Sequence, residues 1–432
     1  MHIPDGYLAP AFSLGVGLVT VPSWLIAARR VGRVLTHRMI PLLAIFAAFT
    51  FAVMMFNVPV PGGTTAHGVG GTLVAIVLGP AAAVIVVSTA LIIQALFFGD
   101  GGVLAIFANC FNMAILLPIV GYLTYRLLAG NSPLLSTRRA WAAGIGGYVG
   151  ITVAALAAGI ELGLQPLLFN ADGRPLYSPY GLEVAVPAML LAHAFGASVV
   201  EGLITGLGMA YIQQHHPEYL TGTIDQIAGG AAVEIGPAPT PRPLWQLVGG
   251  GIVALVVVLL LFGLATGGGD PSHMFGADWS QVDWASVATM LLIVAVLAIV
   301  LIPLAWLVLP RSIRAIGVAY VTIALLVPLG LIAPGFAFGE GSPSDLQTEF
   351  GYVPAGLQAL NGIFTAPLAG YNLPFPFFSD ANAPLWHQAL GYEIAGLVGM
   401  LVLGLIMWGL GSLLLRRQDP GELPRAPGPS PA

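Results

Sequence analysis

The sequence predicts an all-α integral membrane protein, and three observations carry that expectation. Of 432 residues, 57% are hydrophobic and 8% charged, against about 25% charged in an ordinary soluble domain. Apolar runs of roughly 20 residues, the length that crosses a bilayer core, recur along most of the chain. The 14 basic residues are all arginines, and they fall between those runs.

Eleven spans follow from the apolar runs. Seven occupy about 10–28, 39–57, 68–80, 82–98, 103–126, 140–161 and 184–212, and four more 244–266, 286–309, 315–333 and 389–415. The third is short and glycine-rich, as a broken or re-entrant element would be. Arg29, Arg30, Arg33 and Arg38 lie between the first two spans, and Arg126, Arg138 and Arg139 flank the loop between the fifth and sixth. Arg242 precedes the eighth, Arg311 and Arg314 separate the ninth and tenth, and Arg416 and Arg417 follow the eleventh. Alternation puts all of these on one face, which the positive-inside rule makes cytoplasmic. Arg174 falls in a longer loop on the other face. The N-terminus is then extracytoplasmic and the C-terminus cytoplasmic.

These spans group into a membrane module at 1–215 and a second at 244–417. Between them, 216–243 is Pro-, Gly- and Ala-rich and reads as a cytoplasmic linker. The Pro-rich stretch 418–432 reads as a disordered tail.

Composition also excludes chemistry. One cysteine, Cys110, allows no internal disulfide, and its apolar setting suits a small packed side chain. The absence of lysine removes the GxxxxGK[ST] phosphate loop, so any ATP hydrolysis must come from another subunit. No HExxH or GxSxG motif occurs, and no enzymatic activity is expected.

The opening MHIPDGYLAP lacks the basic n-region of a secretory signal, and Asp5 and two prolines precede the first apolar run. These residues are expected to stay on the mature chain. A free amine on Met1, the peptide nitrogen of residue 2 and Nδ1 of His2 close a five- and a six-membered chelate ring on one metal. Three nearly coplanar nitrogens leave one in-plane position open, a geometry that Cu(II) and Ni(II) favour and tetrahedral Zn(II) does not. A chance histidine at position 2 is the plainer alternative.

The loop NVPVPGGTTAHGVGG follows the second span, on the same side as Met1, and carries His67 as a fourth nitrogen. Gly62 and Gly63 allow close backbone approach, and Thr64 and Thr65 can orient an imidazole. Equally, His67 could simply satisfy a carbonyl in a re-entrant loop.

In the seventh span His193 and Glu201 are eight residues apart on one helical face, more in keeping with a buried polar pair than with direct ligation. Ala44, Ala48 and Ala52 form a small-xxx-small row. Asp270, His273, Asp278 and Asp283 make the loop after the eighth span acidic, as solvated charges commonly do. His215 and His216 end the seventh span at the interface.

The blocks MHIPDGYL, PGGTTAHGVGGTL, ALFFGDGGVLAIFANCFNMAIL and VVEGLITG resemble the CbiM/NikM family, the nickel/cobalt substrate-specific components of energy-coupling-factor transporters. They cover about residues 1–215 in the family's order. The resemblance implies a seven-helix component that captures Ni(II) or Co(II) outside the cytoplasm, the ion being cargo rather than a cofactor. It also implies a transmembrane coupling subunit and cytoplasmic ATP-binding subunits as partners, with no nucleic acid. Its metal ligands map onto Met1, His2 and His67. In the second module AFGEGSPSDLQTEFGYVPAGLQAL and APLAGYNLP resemble the family's small accessory component, which suggests help with metal loading. Related chains often carry an aspartate after APLP, where this one reads APLAGYN.

On this reading the Ala44/Ala48/Ala52 row is a docking surface for the coupling subunit. Two other functions compete: a secondary permease driven by an ion gradient, for which Glu201 is the one obvious carboxylate, and a membrane metal sensor that does not transport.

Overall fold

Small residues decide where these helices meet. The computed structural model describes residues 1–37, 39–60, 64–220, 284–308, 318, 321, 322, 324–332, 337–375, 378 and 383–416. The span expected at 244–266, the loop with Asp270, His273, Asp278 and Asp283, and the tail lie outside them. So do most of the linker, part of the span expected at 315–333, and Arg38, Arg242, Arg311, Arg314 and Arg417.

The helices run α1 (Pro10–Val34), α2 (Met39–Met55), α3 (Gly71–Leu78), α4 (Pro80–Phe98), α5 (Ile106–Ala129), α6 (Thr137–Leu168) and α7 (Leu182–His215). After the linker come α8 (Trp284–Val308), the short α9 (Pro343–Phe350) and α10 (Ala355–Leu360), and α11 (Leu385–Arg416). Among the described residues, seven helices are long and apolar enough to cross a membrane: α1, α4, α5, α6, α7, α8 and α11. The molecule is thus an all-α multi-pass membrane protein. At 17 residues α2 is shorter.

The expected short third element is α3, eight fully buried residues. Gly70 at φ 74° opens it and Gly79 at φ 86° closes it, so the chain turns directly into Pro80 of α4. Both backbone angles lie where an L side chain is strained.

On α1 the buried face is Ser13, Gly17, Thr20, Ala27 and Val31, while Leu14, Leu18, Leu25 and Ile26 are exposed. A small inward face and a bulky apolar outward face suit a helix with lipid on one side. Between α5 and α6 the approach is tighter still: a Cβ on Gly150 would lie 2.6 Å from the Leu117 carbonyl oxygen. Cys110 is buried among apolar neighbours, as expected.

The final helix packs on α2. A Cβ on Gly399 would lie 2.2 Å from the Phe51 ring, and one on Gly396 2.8 Å from Met55. Of the alanine row on α2, Ala52 is buried within this chain, and Ala44 and Ala48 are half-buried.

Strand β1 (Val58–Val60) pairs antiparallel with β2 (Thr64–Ala66), Val58 opposite Ala66. A second small hairpin joins β3 (Asn170–Ala171) to β4 (Arg174–Pro175).

Candidate metal centre

After α2 the chain returns to where it began, and the loop that follows the β1–β2 hairpin lies beside the N-terminus. The His2 and His67 rings meet edge to face there, centroids 5.2 Å apart and planes at 78°. Met1 and His2 are both buried.

The N-terminal segment is held like a short strand. Asn109 accepts the Ile3 N–H at 2.8 Å and donates to the Ile3 carbonyl at 3.0 Å, and the Gly102 N–H reaches the same carbonyl at 2.8 Å. Asp5 accepts from the amides of Leu104 at 2.7 Å and Val103 at 3.2 Å. Burial pushes the Asp5 carboxyl up, and these amides partly offset it. The stretch Asp100-Gly101-Gly102 must be bare for this contact, since a Cβ on Gly102 would lie 2.2 Å from Asp5 Oδ1. Farther on, Tyr7 donates to the Gly341 carbonyl at 2.8 Å, and the Ala9 N–H reaches Gln165 at 3.0 Å.

His67 is set by its own loop. Its Nδ1 lies 2.9 Å from the Gly68 carbonyl. That contact assigns the proton to Nδ1 and leaves a lone pair on Nε2. Removal from bulk water, with the Met1 ammonium and His2 alongside, pushes the His67 imidazole down to about 3. It is therefore neutral at physiological pH, the form in which it can ligate a metal.

Beneath this loop sits Glu201. Its carboxylate accepts the N–H groups of Val69 and Gly70 at 2.7 Å each and of Thr72 at 3.4 Å. An anion at the first turn of α3 satisfies amides that the helix cannot. His193 bonds instead to the Met189 carbonyl, at 2.7 Å. The two residues thus do not form the pair that their spacing suggested. The π turn His193–Ala197 lies between them, and its wider winding takes them off a common line.

A cavity of about 240 Å³ opens at this point, lined by Met1, His67, Asp100, His193, Glu340 and Tyr371, among others. Thr65 also lines it, while Gly62 and Gly63 lie outside the described residues. His215 and His216 stack near Tyr211 and Tyr219 at the other end of α7, about 30 Å along the helix from His193.

Asp100 touches His2 Nδ1 through one oxygen and accepts the Tyr371 hydroxyl through the other, at 2.5 Å. Burial raises the Asp100 carboxyl, but His2, the Tyr371 hydroxyl and His67 outweigh it and hold the group below the usual carboxylate range. Glu340 lies 3.6 Å from the Met1 amine. Asp100, Asn109, Glu340 and Tyr371 all lie in the blocks that carry the family resemblance, but those motifs assigned none of them a role at the site. Asp100 had a signal, a glycine-flanked carboxylate after the fourth span on the face assigned to Met1. Glu340 and Tyr371 come from the two second-module blocks AFGEGSPSDLQTEFGYVPAGLQAL and APLAGYNLP, whose resemblance did not tie them to the N-terminus.

Among the described residues, no three His, Cys, Asp or Glu side chains are grouped as a metal cage. The donors gathered here are of another kind: a terminal amine, peptide nitrogens and two imidazoles. This fold and these donors suit a membrane component that handles metal ions, and its relatives are metal transport proteins rather than enzymes. Residues 2–219 match the family model CbiM, cobalt uptake substrate-specific transmembrane region, and the chain belongs to that family.

Along nearly its whole length the chain is similar to the fused nickel transport protein NikMN of Rhodobacter capsulatus, 36% identical over 95% of this chain and 96% of that one. It is also similar to the cobalt transport protein CbiM of Clostridioides difficile, 33% identical over 30% of this chain and 52% of the other. A crystal structure of a truncated transition metal transporter, 53% identical, covers 50% of this chain and all of that one, with a TM-score of 0.47.

Proposed function

We propose that this chain captures Ni(II) or Co(II) on the extracytoplasmic side through Met1, His2 and His67. The captured ion is passed into ATP-driven import with a separate transmembrane coupling subunit and cytoplasmic ATP-binding subunits. In this scheme residues 1–215 hold the cargo site, 216–243 are a linker and 244–417 an accessory module.

One observation carries the ligand assignment: the two imidazoles lie 5.2 Å apart, centroid to centroid. Two imidazoles sharing an ion at about 2 Å from each nitrogen have centroids roughly 4–6 Å apart, depending on the angle at the metal. The Met1 amine and the His2 peptide nitrogen complete a planar set, which suits Ni(II) better than a tetrahedral ion. Lack of any lysine supports the external source of ATP hydrolysis. The nickel and cobalt named in the relatives support the cargo.

Metal analysis of the purified protein, beside a variant with one alanine inserted after Met1, tests the chelate. The insertion moves histidine out of position 2 and breaks the six-membered ring. Wild type is expected to retain one ion and the insertion variant to lose it; equal retention refutes the assignment. Uptake into vesicles that lack an ATPase partner would refute the ATP-driven step.

A further inference from the structure

The cavity at the chelate holds a histidine that the ligand set does not use. Met1 and His67 line it, and so do His193 from α7 and the carboxylates of Asp100 and Glu340. His193 opens the π turn His193–Ala197, and the hairpin that leads to His67 packs on that turn. Such turns inside helices often mark functional places.

The His193 ring is held as a ligand would be. Its Nδ1 lies 2.7 Å from the Met189 carbonyl, which puts the proton on Nδ1 and the lone pair on Nε2. That carbonyl already accepts the His193 backbone N–H, so it has no need of the ring. The bond acts on the imidazole instead, fixing its tautomer and direction. With Nδ1 turned back onto its own helix, Nε2 points away from α7, toward the cavity that the residue lines. His67 is fixed by the same device, Nδ1 on the Gly68 carbonyl. Two imidazoles of one tautomer thus line one cavity, and only His67 has a place in the chelate.

The cavity also suits a cation that still carries water. Six waters at about 30 Å³ each take roughly 180 Å³, within the cavity's volume of about 240 Å³. The Asp100 and Glu340 side chains are 27% and 33% exposed, whereas His193 is 7% exposed. An ion from outside therefore meets carboxylates first and the imidazole deeper in.

We propose that His193 is a waypoint for the entering Ni(II) or Co(II): its Nε2 takes the partly hydrated ion in the cavity and hands it to Met1, His2 and His67. The inference rests on those three being the ligands. One water leaves the ion as Nε2 binds. The chelate nitrogens then displace Nε2 and the remaining waters, and the amine and peptide protons pass to solvent. Glu340 brings the second module into this route, on the side of loading.

A waypoint lowers the barrier in both directions and leaves the end states alone. Stopped-flow mixing of the full-length protein in detergent with Ni(II) follows the absorption band of planar four-nitrogen Ni(II), and a chelator chase gives the release rate. His193→Gln keeps a donor for the Met189 carbonyl and loses the imidazole. Capture and release are both expected to slow about tenfold, the lower end for a group outside the final ligands, with band, stoichiometry and Kd unchanged. Ala192 lines the same cavity, and Ala192→Leu narrows it with His193 in place. That variant is expected to slow both rates together, and it carries the test alone if His193→Gln is recovered unfolded. Unchanged rates overturn the waypoint while leaving the ligand assignment standing. A weaker Kd with capture unslowed also overturns it, making His193 a support of the final site. A wild-type protein without the band overturns the ligand assignment, and the waypoint with it.

Discussion

Glu201 accepts the Gly70 amide at 2.7 Å, and by that bond a carboxylate inside α7 sets the loop that presents His67. Three peptide N–H groups converge on it, and the residue has no exposed surface. Glu201→Gln removes the charge and turns an amide N–H toward one of those donors. Nickel affinity is expected to fall about 10- to 100-fold, as for other losses of groups that orient a ligand, with helix content unchanged. Titration calorimetry beside circular dichroism measures both, and an unchanged affinity would remove Glu201 from the site.

Gly102→Ala tests the other wall. Its Cβ would lie 2.2 Å from Asp5 Oδ1 and 2.4 Å from the Asp5 nitrogen, contacts that only a shift of the N-terminal segment can relieve. The segment is also tied to Gly341 through Tyr7 and to Gln165 through Ala9, and these bonds are expected to hold the rest of the fold in place. The variant is expected to be inserted and monodisperse, yet to bind nickel substoichiometrically. Full occupancy would show that the segment has slack.

Much of this could be read in the chain, for physical reasons that differ by residue. The chelate proposed for Met1 and His2 rests on covalent geometry, which two letters of sequence are enough to suggest. The nearness of His67 to them was expected from two crossings, which would return a chain to its starting face, and the His2 and His67 rings do lie next to each other. The helix pattern followed from apolar run lengths. Glu201 was legible as a costly buried acid, but not as the acceptor for a loop 131 residues away. Helical spacing even pointed it toward His193, because a π turn leaves no mark in an apolar run. Glu340 and Tyr371 lie farther off in the chain, and their position depends on how the C-terminal segment docks. That docking uses contacts such as Leu357 N–H on the Leu176 carbonyl at 3.1 Å, which backbone atoms make without a sequence signature.

The pH dependence of binding separates the two imidazoles. Burial, the Met1 ammonium and His2 push His67 down to about 3, so above about pH 5 it has no proton to lose on ligation. Protons released there come from the N-terminal chelate, whose peptide nitrogen must be deprotonated, and affinity rises with pH. His67→Ala is therefore expected to weaken nickel binding at every pH while leaving the slope of log affinity against pH unchanged between about pH 5 and 8. A flattened slope in that variant would assign the titrating proton to His67 instead.

Removing the metal should be felt as lost stability, and only through this site. A ligand that binds the folded state alone stabilises it by RT ln(1 + [L]/Kd), about 2.7 kcal/mol at a hundredfold excess over Kd. The N-terminal segment ties α1 to the start of α5 through Asn109 and Asp5, so an ion gripping Met1, His2 and His67 also ties that segment to the α2–α3 loop. Nickel is expected to raise the unfolding midpoint of wild type, and a chelator to return it to the metal-free value. In the variant with alanine inserted after Met1 the same nickel should produce only the small shift that nonspecific binding to other histidines gives, which both proteins share and which the comparison subtracts. An equal rise in the two proteins would mean that the stabilising ion sits elsewhere.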